Sequence, residues 1–250
     1  MRFATPLQRG TLLKRYKRFL ADITLDTGET ITASCPNTGS MKGLSDPGLG
    51  VWVSQSDSPT RKYRHTLELV EVDAQGDAAD AASLGSDGRT PTFVGINTGR
   101  PNAIVEEAVL ARRIATLKGY RDLKREQKYG VNSRIDLLLS DPRKGTCYVE
   151  VKNVHLVRQA RLAEFPDSVT ARGAKHLAEL ASMVAQGHRA VMVFLVQRAD
   201  VTRLKLARDI DEAYGAAYDA ACAAGVEGLA LRCRVTPEGI EVERKIPVEA

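Results

Sequence analysis

Asp136, Glu150 and Lys152 are residues whose types and spacing could do chemistry together. The segment Ser133 to Ser140 (SRIDLLLS) reads as a strand, and Thr146 to Val154 reads as another. Between them, Asp141 to Gly145 (DPRKG) holds Asp-Pro and Lys-Gly, so a hairpin loop of those five residues is expected. Pairing Ser140 with Thr146 sets the register, and counting back pairs Asp136 with Glu150. Alternation along a strand places Glu150 and Lys152 on one face. Directly opposed residues carry Cβ atoms about 4.5–5.5 Å apart, so the two carboxylates repel unless something offsets their charge. A divalent cation taking oxygens from both would do so, with Mg²⁺, or Mn²⁺ in its place, suited to a carboxylate site facing phosphate. Lys152 could then hold an attacking water or neutralise charge developing on phosphorus. That division of labour is metal-assisted phosphodiester hydrolysis. The same residues also fit a structural ion cluster at a sheet end, and a one-residue slip in register would separate the acids.

The elements that must position these groups form two patterns. Over residues 1 to about 72, short strand-like runs alternate with turn signals. Phe19 to Leu25, Thr30 to Ser34, Val51 to Val53 and Thr66 to Val72 predict a small β-barrel. Residues 73–91 are rich in Ala, Asp, Gly and Ser and show no periodic apolar face, which predicts a linker or exposed insertion. From Thr92 onward the pattern is mixed α/β. Helices are expected over Asn102 to Leu117, Arg172 to Gln186 and Asp209 to Ala224. Arg189 to Gln197 is a continuous β-branched and aromatic run, as in a central strand covered on both faces. Val226 to Val235 and Ile240 to Val248 close the domain as strands.

Composition narrows the class. With 250 residues and 43% hydrophobic content the chain can bury one large core or two modest ones. No apolar stretch nears the ~20 residues of a membrane-spanning helix, and the N-terminus lacks a secretion signal's apolar core, so no membrane partner and a cytoplasmic location are expected. Cys35, Cys147, Cys222 and Cys233 form no C-x-x-C pair, which argues for buried thiols rather than zinc or disulfides. The net charge of +5 is unevenly spread. Arg2 to Arg18 holds six basic residues and no acid, and Arg112 to Arg134 holds eight against Asp122 and Glu126. Such runs often serve only as solvated faces, but two of them, one interleaved with Tyr16 and Phe19, point to a polyanion such as DNA. Lys14, Arg15, Lys17 and Arg18 are the densest group.

Two Asn-Thr-Gly loops, CPNTGSM over 35–41 and NTGRPN over 97–102, are turn-competent, and Arg100 could contact a phosphate. Arg172, Lys175 and His176 open a helix whose N-terminus suits a phosphate. No G-x-x-x-x-G-K pattern supports nucleoside triphosphate binding.

Asp136 followed by Glu150-Val151-Lys152 after a hairpin resembles the PD-(D/E)XK nuclease motif. RYKRFLAD over 15–22, CPNTGSM, NTGRPN, SRID over 133–136, YVEVKN over 148–153 and FPD over 165–167 together resemble the sugar fermentation stimulation protein A family across nearly the whole chain. The resemblance implies an OB-type β-barrel over residues 1–85, ending in the linker, and a PD-(D/E)XK nuclease-like α/β domain over 86–250. It implies DNA binding and a regulatory role in sugar metabolism. It also implies a third metal acid from the helix before the hairpin, a position Glu106 matches, although Glu106 and Glu107, read as first-turn residues, also suit the helix dipole there. Two functions follow: a metal-dependent DNA nuclease, or a non-catalytic DNA-binding regulator that uses the nuclease fold as a platform. A homodimer is one assembly compatible with either.

Overall fold

The computed structural model describes residues 1–73 and 91–249. The expected linker and the boundary at 85/86 therefore lie outside the described residues. Five strands build the N-terminal barrel: β1 (Gln8–Tyr16), β2 (Leu20–Leu25), β3 (Thr30–Ser34), β4 (Gly50–Gln55) and β5 (His65–Asp73). They run in the order β3-β2-β1-β4-β5, and a short parallel pairing of Ala33 and Ser34 with His65 and Thr66 closes the ring. Alternation supplies the interior, with Leu12, Ile23, Ile31, Ala33, Val51, Val53 and Leu67 turned inward. The β1–β2 ladder closes at Tyr16 opposite Leu20, and Lys17 and Arg18 in the three-residue loop both adopt positive φ, 50° and 65°.

Strand β6 (Pro91–Gly95) belongs to this sheet and not to the α/β layer expected from Thr92 onward. It pairs antiparallel with β5, from Leu69 opposite Gly95 to Asp73 opposite Pro91. Its end joins the next unit directly, because the Gly95 N–H donates to the Gln197 carbonyl at 2.9 Å.

The second unit holds α1 (Pro101–Leu110), β7 (Asp122–Tyr129), β8 (Ser133–Asp141), β9 (Gly145–Val154), β10 (Leu156–Gln159), β11 (Arg161–Phe165), α2 (Ala171–Ala185), β12 (Arg189–Val196), β13 (Val201–Leu206), α3 (Glu212–Ala223), β14 (Glu227–Thr236), β15 (Gly239–Ile246) and β16 (Val248–Glu249). The main sheet runs β15-β14-β12-β9-β8-β7, parallel through β14, β12 and β9 and antiparallel at both edges. A smaller sheet runs β10-β11-β13-β16. One face of the main sheet packs on α1 and on barrel residues Leu7 and Leu69. The other packs on α2 and α3 through Leu177, Leu180 and Tyr214. Strand β12 is buried along almost its entire length, as its unbroken apolar run requires.

Helix α1 is shorter than the expected Asn102–Leu117. Arg112 enters the left-handed region at φ 57°, and the Arg113 N–H turns back to the Ala108 carbonyl at 2.8 Å. That bonding stops the helix, and Ala115–Leu117 forms only a single 3₁₀ turn. Helices α2 and α3 carry side-chain caps, Thr170 accepting from the Gly173 N–H and Asp211 from the Tyr214 N–H. The second oxygen of Asp211 also accepts from the Thr170 N–H at 2.7 Å, tying the two helix starts together.

Candidate active site

The hairpin that carries the acids has the expected register but a tighter turn. Ser140 stands opposite Thr146, and Asp141 pairs with Gly145, leaving three residues in the loop. Gly145 takes φ 73° there, and Asp141 Oδ1 accepts from the Arg143 and Lys144 N–H groups. The β8–β9 ladder ends at Leu137 opposite Val149, one step before Asp136 and Glu150. There the strands part. Asp136 Oδ2 accepts the Val151 N–H at 2.7 Å, taking the place of a backbone carbonyl in the ladder. Side-chain alternation along β8 steps over at the same residue: Leu137 and Leu139 pack on the α1 side, whereas Ile135 packs with α2 and α3.

Glu150 is buried and shares its face with Lys152, whose Nζ donates to Glu150 Oε1 at 2.7 Å. Helix α2 brings His176 to the same oxygen through Nδ1. Arg172 Nε donates to His176 Nε2 at 3.3 Å, so the ring uses Nδ1–H as donor and Nε2 as acceptor. Burial alone would push the Glu150 carboxyl up, but the His176 hydrogen bond and the Lys152 charge outweigh it and hold it below the ordinary value. Asp136 moves the other way. Burial, reinforced by the charge of Glu150, raises it despite the bonds from Val151 and Asn102.

Glu150 Oε2 is buried and has no hydrogen-bond partner. An orphaned carboxylate oxygen beside a second carboxylate, all hard oxygen donors, fits a Mg²⁺-, Mn²⁺- or Ca²⁺-like cation. Among the described residues, no group of three or more His, Cys, Asp and Glu side chains is gathered closely enough to hold a metal ion as they stand. The third acid implied by the family resemblance is not assembled with the other two. Glu106 lies in the second turn of α1, past the first turn where acids were expected, and faces Arg125 Nη1 at 3.5 Å. Glu107 binds the N-terminal ammonium at 2.8 Å. It is Asn102, in the first turn of α1, that reaches Asp136, its Nδ2 donating to Oδ1 at 2.8 Å. Asn102 carries no charge and offers no periodic signal; it entered the sequence reading only as the last residue of the NTGRPN string.

The basic residues expected to meet phosphate are placed unevenly. Arg100 makes a two-nitrogen pair with buried Glu68, at 3.1 and 2.6 Å, and is committed there. Arg15 donates to the Asn37 and Gly39 carbonyls at 2.8 and 3.0 Å, and Arg18 donates through Nε to the Thr38 carbonyl at 2.8 Å. Both arginines therefore brace the first Asn-Thr-Gly loop instead of standing free. Lys14 lies 3.4 Å from Asp22, and Lys17 is exposed in the hairpin turn. Arg172 and Lys175 are exposed at the start of α2; Lys175 caps the Val131 carbonyl at 2.9 Å.

The two Asn-Thr-Gly loops dock on each other instead of forming separate phosphate cradles. Asn37 and Asn97 each accept the N–H two residues on, from Gly39 and Gly99, and the Thr98 N–H donates to the Pro36 carbonyl at 3.1 Å. Asp167 locks the first loop to the second unit, accepting from the Ser40 N–H and hydroxyl at 3.1 Å each and approaching buried His155 at 3.5 Å.

Comparison with known proteins agrees with this build. A family described as the sugar fermentation stimulation protein RE domain matches residues 99–239, and one described as the SfsA N-terminal OB domain matches residues 13–78. The sugar fermentation stimulation protein homologue of Brucella ovis is 55% identical over 249 residues, covering 100% of this chain and 98% of its own. The chain belongs to the sugar fermentation stimulation protein family. The Brucella melitensis homologue is similar to the same degree. A solved SfsA from Pyrococcus furiosus, described as a complex with Ca²⁺, superposes with a TM-score of 0.84 at 25% identity, covering 100% of this chain and 98% of that one. Members of this family thus share the OB barrel followed by a mixed α/β domain.

Proposed function

We propose that the protein binds DNA and hydrolyses its phosphodiester bonds at the Asp136–Glu150–Lys152 site with a divalent cation. The observation that carries this reading is the buried, unpartnered Oε2 of Glu150 beside Asp136, with Lys152 on the same carboxylate. Asp136 and Glu150 would hold the cation, and the Ca²⁺ complex of the Pyrococcus relative supports a site of that class. Bound Mg²⁺ or Mn²⁺ would supply Lewis-acid polarisation and an acidified water. The protein's own part is positioning. The Val151 N–H and Asn102 orient Asp136, His176 orients Glu150, and Lys152 brings a cation within reach of negative charge developing on a phosphate.

The surface that faces DNA is better sought on β7 and β8 than on the barrel hairpin. Lys124, Lys128 and Arg134 are exposed there, and Lys128 stands directly opposite Arg134. Like charges in that position repel, and a phosphate between them would offset the cost. Exposed Arg172 and Lys175 lie near His176 on α2.

A second reading, a non-catalytic DNA-binding regulator of sugar metabolism, is favoured by one contact. Lys152 Nζ, at 2.7 Å from Oε1, already sets a positive charge against Glu150 from within the protein. Incubating purified protein with supercoiled, duplex and single-stranded DNA in Mg²⁺ or Mn²⁺ separates the two. Cleavage by wild type and none by Asp136→Asn is expected; wild-type protein that never cuts with any divalent ion hands the function to the binder.

A further inference from the structure

Strand β7 is the edge of the main sheet and pairs with β8 in one unbroken count, Arg125 opposite Leu137 and Gln127 opposite Ile135. That count sets Glu126 opposite Asp136, yet the pair is missing from the ladder, because Glu126 adopts a left-handed φ of 53° in mid-strand. A glutamate held in that region by its neighbours is uncommon and calls for a reason. Its side chain reaches Asn102, whose Nδ2 donates to Glu126 Oε1 at 3.2 Å and to Asp136 Oδ1 at 2.8 Å. One amide nitrogen thus serves two carboxylates from adjacent strands. The independent sign of a ligand is Glu150 Oε2, buried beyond nine-tenths, without a partner, and close enough for its charge to act on Asp136.

We infer that Glu126, on edge strand β7, is the third carboxylate of the divalent-cation site, held in place by Asn102, and that Glu106 has no part in it. Asp136, Glu126 and Glu150 would each offer a hard carboxylate oxygen of the kind Mg²⁺, Mn²⁺ and Ca²⁺ accept, and the shared Asn102 donor keeps the first two together. Glu106 instead faces Arg125, at 3.5 Å.

This inference rests on the cation site proposed above, and the test separates the two. Mn²⁺ binding to the full-length protein is measured by calorimetry and by loss of the free-ion electron paramagnetic resonance signal, with no DNA present. Glu126→Gln should weaken binding at least roughly tenfold, the scale seen when a metal site loses a supporting group. Glu106→Gln should bind as wild type does, and Asn102→Ala should weaken binding with Glu126 still in place. Asp136→Asn should abolish it. Wild-type affinity in Glu126→Gln, with binding lost in Asp136→Asn, overturns the role of Glu126 and leaves the site standing. Binding that survives Asp136→Asn contradicts both. Glu126 is exposed, so the glutamine variant should fold; should it not, Glu126→Asp, which keeps the charge and shortens the reach, should weaken binding in its place, and wild-type affinity there overturns the role of Glu126.

Discussion

Glu150 sits where desolvation alone would neutralise it, and two donors on one oxygen keep it charged. Replacing it with glutamine removes the counter-charge of Lys152, which is itself largely buried. In metal-free buffer near neutral pH, Glu150→Gln should therefore lose roughly 1–3 kcal/mol in a urea titration, the cost of leaving a buried polar partner unsatisfied. Asp136 is different. Its raised carboxyl means that its charge opposes folding above the ordinary aspartate value, and that this penalty lifts as pH falls through the raised folded value. Asp136→Asn should thus cost less than Glu150→Gln, since it trades a strained charge for one lost acceptor. The reverse order would mean that Asp136 and Glu150 do not feel each other. Lys152 was legible as the third member of the set from its spacing alone. Asn102 and Glu126 were not: Asn102 stood in the NTGRPN string with no role attached to its uncharged amide, and Glu126 is an acid inside a basic run; the start of α1 brings the first to Asp136 and the count of β7 against β8 the second.

Strands with one or both faces buried in regular alternation or unbroken runs were readable, and strands with mostly wet faces were not. β3 and β12 follow their alternating or unbroken apolar runs closely. β7 reads DLKREQKY, and only Tyr129 at its end is buried, so an edge strand looked like a basic run. β1 hid for the same reason, with its charges outward and few inward residues. The apolar phase of α1 runs on in the sequence as far as Ile114, but the helix ends at Leu110 and the left-handed Arg112 turns the chain away. Backbone turns of that kind are decided by local hydrogen bonds that periodicity does not encode. The junction of the two units rests on the first Asn-Thr-Gly loop, which Asp167 holds, and this makes it sensitive to acid. Burial would raise Asp167, but His155, Ser40 and the Met41 N–H together hold it well below the ordinary value of 3.8. A depressed carboxylate stabilises fully above its unfolded value, and that contribution drains away as pH drops below it. Unfolding between about pH 4 and pH 2 should be shallower in Asp167→Asn than in wild type, and the variant should already be less stable at pH 7. Identical acid profiles would remove Asp167 from the junction.

On the scale of the whole molecule, charge that looked free in the sequence divides into two kinds. Arg15, Arg18 and Arg100 hold loops and a buried glutamate, whereas Lys124, Lys128 and Arg134 line an exposed sheet edge next to the acids. If DNA lies along that edge, each phosphate contact contributes about 0.9 to the slope of log affinity against log salt. Lys128→Ala with Arg134→Ala should therefore flatten the slope by about 0.9, the share of the one phosphate they hold between them, while Lys17→Ala on the barrel hairpin should leave it nearly unchanged. An equal effect of Lys17→Ala would move the DNA surface back to the barrel. Arg15→Ala should show itself as lost stability, because its guanidinium holds two loop carbonyls. Among the described residues no helix is long and apolar enough to cross a membrane.

Under the proposed function the acids and Lys152 perform chemistry and do not merely hold DNA. Lys152→Ala leaves Asp136 and Glu150 in place and removes the cation assigned to charge that develops in the transition state. An interaction of that kind affects rate far more than ground-state affinity. The decisive measurement is the single-turnover cleavage rate of a bound DNA duplex in Mn²⁺, set beside the affinity of the same protein for the same duplex. Lys152→Ala should bind within a few-fold of wild type and cut on the order of 10²–10³ times more slowly, the usual cost of losing one preorganised electrostatic group. A Lys152→Ala protein that cuts as fast as wild type would contradict the account.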